Sequence, residues 1–245
     1  MSRKSLFRVL LGAASAGLVL LGRKSQAPGS EGRRSSIADE FERSRQAADT
    51  VTRRYLTYVI MPVWSVAGFL DWLWHRQTKI ETTSGVKESM MHLLMMAETG
   101  APIMLGLFLE MNAGALALMG AGWLLHEATV AWDVSYTASR RKIPPREQHT
   151  HSYMQSIPFE IVATLACLHP EQALALVGAG PQKPDFQLRL KKAPVPLAHF
   201  AGIVACMGMV SGLPHLEELW RCYRAQQSGD AGKDTPECAR ELYGS

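Results

Sequence analysis

Residues 101–125 read APIMLGLFLEMNAGALALMGAGWLL, and this stretch decides the fold. It holds one charge, Glu110, in twenty-five positions. A helix needs roughly 18–20 apolar residues to cross the hydrocarbon core of a bilayer. Asn112-Ala113-Gly114, in the middle, supplies a tight turn. The stretch therefore reads as the end of one span and the start of the next.

Working outward, Ala193–Leu213 carries no charge at all, and Tyr55–Trp74 carries only Asp71. The sequence predicts five spans. The first covers about Tyr55–Trp74, the second Glu88–Glu110 and the third Ala115–Tyr136. Pro144-Pro145 opens a fourth helix whose apolar part is Ile157–Val177, with Pro158 as a kink. Gly178–Pro194 is a loop, and the fifth span covers Val195–Leu213, ending before Pro214. No internal repeat and no strand-type alternation is present. The fold class is all-α, a multi-pass transmembrane helix bundle. Three regions follow: 1–54 is an anchor and polar arm, 55–215 the membrane domain, and 216–245 a polar tail. In the arm, Val9–Leu21 lies between Arg8 and Arg23 with no small-residue cleavage site after it. That pattern predicts an uncleaved anchor or interfacial helix, followed by an amphipathic surface helix over Ser35–Arg54.

The chain is 47% hydrophobic with a net charge of +4. Its cations flank the apolar runs and do not form a stripe with interleaved aromatics, which argues for the lipid bilayer as partner and against nucleic acid. The four cysteines show no metal-ligand spacing and predict no disulfide framework.

The ionisable residues inside or beside the spans follow a rule. Asp71 and His75 are four apart on the first span, and Glu88 and His92 are four apart on the second. His126 and Asp133 are two turns apart on the third. Glu147 and His151 are four apart at the start of the fourth, with His149 between them. Residues at these spacings share a helix face. In an up-and-down bundle the four pairs lie at one side of the membrane, so four helix ends each supply a carboxylate and an imidazole. Taken singly, each residue has an ordinary explanation. His75 beside Arg76 suits an interface, and Glu88 and Glu147 suit a helix start. Agreement in face, side and depth instead points to a metal site made of Asp71, His75, Glu88, His92, His126, Asp133, Glu147, His149 and His151. This ligand set exceeds what one ion uses and suits two ions: Fe, with Zn or Mn as alternatives. His169, His199 and His215 lack a carboxylate partner at helical spacing and are set aside.

The pattern of His75, Glu88-Ser89-Met90-Met91-His92, His126 and Gln148-His149-Thr150-His151 resembles the histidine-box membrane di-iron superfamily of fatty-acid desaturases, hydroxylases and alkane monooxygenases. The likeness covers Asp71–His151, with carboxylates at several positions and no His-x-x-His-His. It implies oxygen-dependent chemistry on a lipid-like substrate, with electrons from an external donor. Two other functions fit the same residues. A zinc-dependent lipid hydrolase would use Glu88 or Glu147 as base. A non-enzymatic metal-binding or transport protein would use Glu98 and Glu110 as a deeper path. Cations beside the ligand-bearing ends, at Arg76, Lys79, Lys87, Arg140, Arg141, Lys142 and Arg146, predict an inner or cytoplasmic membrane with the site on the cytoplasmic side.

Overall fold

A computed structural model describes residues 30–192 and 194–236, and its regular structure is helical apart from one isolated bridge between Leu109 and Leu190. The anchor expected at Val9–Leu21 and the cysteine at Cys238 lie outside the described residues. The chain divides into two compact units, Met1–Ala47 and Ala48–Ser245. In the first, the described residues belong to the polar beginning of α1 (Ser30–Tyr55), where Arg43 Nε donates to the Asp39 carbonyl at 3.1 Å. The second unit carries everything below.

A π turn at Leu56–Ile60 leads into α2 (Met61–Thr78), which Lys79 ends in the left-handed conformation. A short 3-10 turn, Ile80–Thr82, precedes α3 (Gly85–Phe108) and α4 (Ala113–Ala138). Then come α5 (Pro145–Leu168), α6 (Pro170–Leu176), α7 (Leu197–Met207), a second π turn (Gly208–Gly212) and α8 (Leu213–Gln227). Three stretches are long and apolar enough to cross a membrane: Gln46–Thr78, Gly85–Phe108 and Leu197–Gln227.

The expected third and fourth spans are not among them, the fourth helix ending at Leu168 before Pro170 opens a new one, and the last stretch does not stop before Pro214. In the π turn the Leu213 N–H bonds the Gly208 carbonyl five residues back. A widened turn relieves the clash between a proline ring and the preceding carbonyl. The same device sits at Leu56–Ile60, where the Met61 N–H bonds the Leu56 carbonyl just before Pro62. Helix geometry is thereby carried past Pro214 into residues expected in a polar tail.

Helix α3 packs against α4 and α8, α2 against α5, and α4 against α5. An apolar cluster of Ile60, Met61, Trp64, Ile103, Met119, Ile157 and Ile161 fills one level of the interior. Another level is ionisable: Asp71, His75, Glu88, Glu147, His215 and Glu218 are each at most 1% exposed. Leu124, Leu125, Phe159, Val204 and Met209 face outward instead. Polar inside and apolar outside is an arrangement that water penalises and lipid tolerates.

At the far end of the bundle the 178–196 loop is strapped alongside residues 108–114. Gly114 N–H bonds Asp185 O at 2.9 Å, Glu110 N–H bonds Arg189 O at 2.9 Å, and Lys191 N–H bonds Phe108 O at 2.7 Å. A Cβ at Gly114 would lie 2.8 Å from the Phe186 carbonyl oxygen, so only glycine admits the loop there. Asn112 caps α4 by accepting from Ala115 N–H at 3.0 Å.

Candidate metal centre

Five helices deliver side chains to one buried level at the end opposite the strap. Asp71 and His75 come from the second half of α2, Glu88 and His92 from the start of α3, and Asp133 from the second half of α4. Glu147 and His151 come from the first turns of α5, and His215 and Glu218 from the start of α8. Side-chain hydrogen bonds hold the helices in register: Trp74 Nε1 donates to Thr150 Oγ1 at 3.0 Å, and Trp72 Nε1 to Glu217 Oε2 at 2.7 Å.

Asp71 sits between two sets of histidines. Its Oδ1 lies 2.8 Å from His151 Nε2 and 3.4 Å from His75 Nε2, and its Oδ2 lies 3.6 Å from His215 Nε2. In each of the groups Asp71–His75–His151 and Asp71–His92–His215, one ligand atom per residue lies within 4.8 Å of the others. A third group, His75–Glu88–His92, does the same. Two ligands bound at about 2.1 Å to one ion at ordinary angles sit roughly 3.0–3.4 Å apart. The Asp71 contacts cluster about that separation. Both Asp71 oxygens, His75 Nε2 and His215 Nε2 are buried without a hydrogen bond. Nearly all buried polar atoms in proteins have one, so this convergence of nitrogens and carboxylate oxygens is unusual. These groups could hold a metal ion.

The remaining polar atoms orient the histidines. Glu218 Oε2 lies 2.9 Å from His75 Nδ1, and its Oε1 lies 3.3 Å from His92 Nδ1. A carboxylate accepting from both Nδ1–H groups places the proton on Nδ1 and the lone pair on Nε2 of both rings, which stack with centroids 4.6 Å apart. His215 is fixed in the same sense, with Nδ1 2.9 Å from the Ser211 carbonyl. Gly68 allows that carbonyl's turn to approach α2, since a Cβ there would lie 2.2 Å from Ser211 Oγ.

Glu88 and Glu147 also share a buried guanidinium. Arg141, 5% exposed, donates from Nε to Glu88 Oε1 and Oε2 at 3.2 and 3.1 Å, and its Nη2 donates to both Glu88 and Glu147. Ser84 Oγ also donates to Glu88.

Seven of the nine residues singled out in the sequence therefore meet at this level. His126 stands apart: its Nδ1 lies 3.1 Å from Thr99 Oγ1, and its buried Nε2 is unpartnered. It lines a cavity of about 70 Å³ whose other walls include Asp71, His92, Asp133 and His151 on one side and Trp64, Met95, Met96 and Met154 on the other. His149 is exposed, its ring edge-on to Tyr153, because an offset of two residues from both Glu147 and His151 turns it roughly 200°, to the opposite face of the helix. His215, Glu218 and Arg141 were missed as site members. The signal for the first two was their i, i+3 spacing, hidden by treating Pro214 as a helix stop. No protein-family model, curated protein or solved structure matches the chain.

Proposed function

We propose that this protein is a membrane-embedded, metal-dependent oxidoreductase whose buried carboxylates and imidazoles, Asp71 central among them, would hold two ions, preferentially iron, and that it acts with oxygen and an external electron donor on a lipid-like substrate. The observation that carries the reading is the position of Asp71, with one oxygen toward His75 and His151 and the other toward His215. Charge supports two ions. Asp71, Glu88, Asp133, Glu147 and Glu218 are five carboxylates against one guanidinium, Arg141, which leaves four negative charges. Two divalent cations match that number. Four imidazolium ions would match it too, with His75 Nε2 3.2 Å from Glu147 Oε1, but His75 and His92 would then stack as like charges at 4.6 Å.

The nitrogen and oxygen donors fit iron, manganese or zinc, and the likeness to histidine-box di-iron proteins favours iron. An iron pair bound there would supply oxygen activation. The chain's part is to orient the imidazoles through Glu218 and Ser211, neutralise Glu88 and Glu147 through Arg141, and keep bulk water out. The cavity beside the ligands has about the volume of two water molecules, taking roughly 30 Å³ for each. It suits a small reactant, so an acyl or isoprenoid chain would approach from the lipid side, past Val134 and Gln155 at its wall.

Zinc hydrolase chemistry is less well served. It needs a free carboxylate as base, and both proposed bases, Glu88 and Glu147, are held by Arg141. A transport path is also less well served, because Glu110 is paired with Arg189 in the strap and Glu98 accepts from Thr129. We infer that the ligand-bearing end faces the cytoplasm, a reading its flanking cations support. Oxygen uptake by iron-loaded, chemically reduced protein tests the function. Uptake in proportion to bound iron, lost in His215→Ala, is expected. Iron-loaded protein that consumes no oxygen, or zinc-loaded protein that cleaves lipid esters, overturns it.

A further inference from the structure

A groove of about 680 Å³ lies between the start of α3 and the second half of α4, outside the metal-site cluster. Its rim holds Lys87, and its floor runs over Met90, Met91 and Leu94 beside Trp132 and Tyr136. Met90, Leu94 and Trp132 are exposed, between 42% and 57%. Lys87 to Leu94 is seven residues, a rise of roughly 10 Å along α3. The groove is thus cationic at one end and apolar along its length, parallel to a helix apolar enough to cross a membrane.

Lys87 at the groove, and Arg140 beside it on the same Tyr136 ring, are unmatched cations. Lys87 Nζ lies 4.5 Å from the Tyr136 ring centroid and 5.2 Å from that of Trp132. The Arg140 guanidinium lies 3.8 Å from the Tyr136 centroid and bonds only Tyr136 O and Ser139 Oγ. Among the described residues neither has a carboxylate partner, whereas Arg141 and Arg189 both do. Two cations held on one tyrosine without an anion, above an apolar trough of ligand size, complement an anionic amphiphile.

We propose that this groove is a binding site for an anionic phospholipid of the bilayer, its phosphate between Lys87 and Arg140 and an acyl chain along Met90, Leu94 and Trp132. The site is independent of the metal reading, since neither cation touches a ligand residue. The test uses full-length protein in mixed micelles, with Trp132 as reporter and phosphatidylglycerol or phosphatidylcholine carrying identical brominated chains as quenchers. Each basic residue at a membrane surface contributes about one factor of five in affinity for anionic lipid, so a preference on the order of 30-fold for phosphatidylglycerol is expected. The preference should vanish in Lys87→Gln/Arg140→Gln, and the part of the quenching that distinguishes the two lipids should vanish in Trp132→Phe, leaving the equal quenching of other exposed tryptophans such as Trp220. Both variants should keep the helical circular dichroism and thermal unfolding midpoint of the wild type, which shows that they fold. Equal quenching by the two lipids, or a preference that survives the double substitution, overturns the proposal. If the double variant fails to fold, Lys87→Gln alone should weaken the preference about fivefold, and an unchanged preference there overturns it equally.

Discussion

Glu218 is the residue on which the proposed centre's geometry depends most, because one carboxylate sets the tautomer of two histidines. Glu218→Gln keeps the shape but accepts at only one atom, so one ring loses its orienting bond. Removing such a partner from a metal-binding histidine costs about 10–100-fold in metal affinity. Chelator competition should therefore show weaker retention in Glu218→Gln while the protein stays folded, and unchanged retention would return Glu218 to a packing role. Asp71→Asn and His215→Ala should lose metal outright. His149→Ala, altering an exposed ring, should lose none, and His126→Ala should lose little, since His126 belongs to none of the three groups whose ligand atoms converge. Parallel metal assays at matched expression check this ranking; equal loss in all four would signal general destabilisation. The pairs Asp71–His75, Glu88–His92 and Glu147–His151 were legible in the sequence because helical spacing puts each pair on one face. Arg141 was not, because it comes from a loop, and nothing in loop sequence reports where a guanidinium will fold back.

At the scale of elements, the π turns and the close helix approaches place the ligands. Gly68 lies one turn before Asp71 and faces Ser211, whose carbonyl orients His215. Gly68→Ala forces these apart and should destabilise the protein by about 1–3 kcal/mol, as overpacking does, with metal retention falling alongside. A thermal shift without metal loss would mean that the α2–α8 approach does not set His215. The strap supplies a separate, pH-dependent prediction. Burial, with Arg53 nearby, pushes the Lys191 ammonium down to about 8. The unfolded chain then binds more protons than the fold between about pH 8 and the ordinary lysine value, so this residue's contribution to stability should improve as pH rises through that window. Thermal unfolding of wild type against Lys191→Met should show a gain confined to the wild type. Parallel pH profiles would contradict the burial of this cation. Helix existence and type were readable from apolar length, but the end of the last span was not. A proline stops a helix only when the turn before it is an ordinary one, and the π turn at Gly208–Gly212 is not.

For the whole molecule, the inversion of polarity is the central fact: carboxylates and imidazoles inside, leucine, valine and phenylalanine outside. It ties the metal proposal to the membrane proposal, since a bundle with this interior needs cations at its centre and lipid around it. Insertion should depend on apolar length alone, so ligand variants should still fractionate with membranes, and variants found in the soluble fraction would break that link. If the helices cross as proposed, residues 79–84 and 140–144 face one compartment and residues 178–190 the other. Cysteine-accessibility labelling that put the first two on opposite sides would break the bundle arrangement. The most direct test of the central claim is metal quantification on detergent-purified wild type and Asp71→Asn, with X-ray absorption of the metal-loaded protein. The account predicts two ions per wild-type chain, nitrogen and oxygen ligands only, a metal–metal distance of roughly 3.5–4 Å, and loss of that distance in Asp71→Asn. A single ion, or a metal pair indifferent to Asp71, would contradict it.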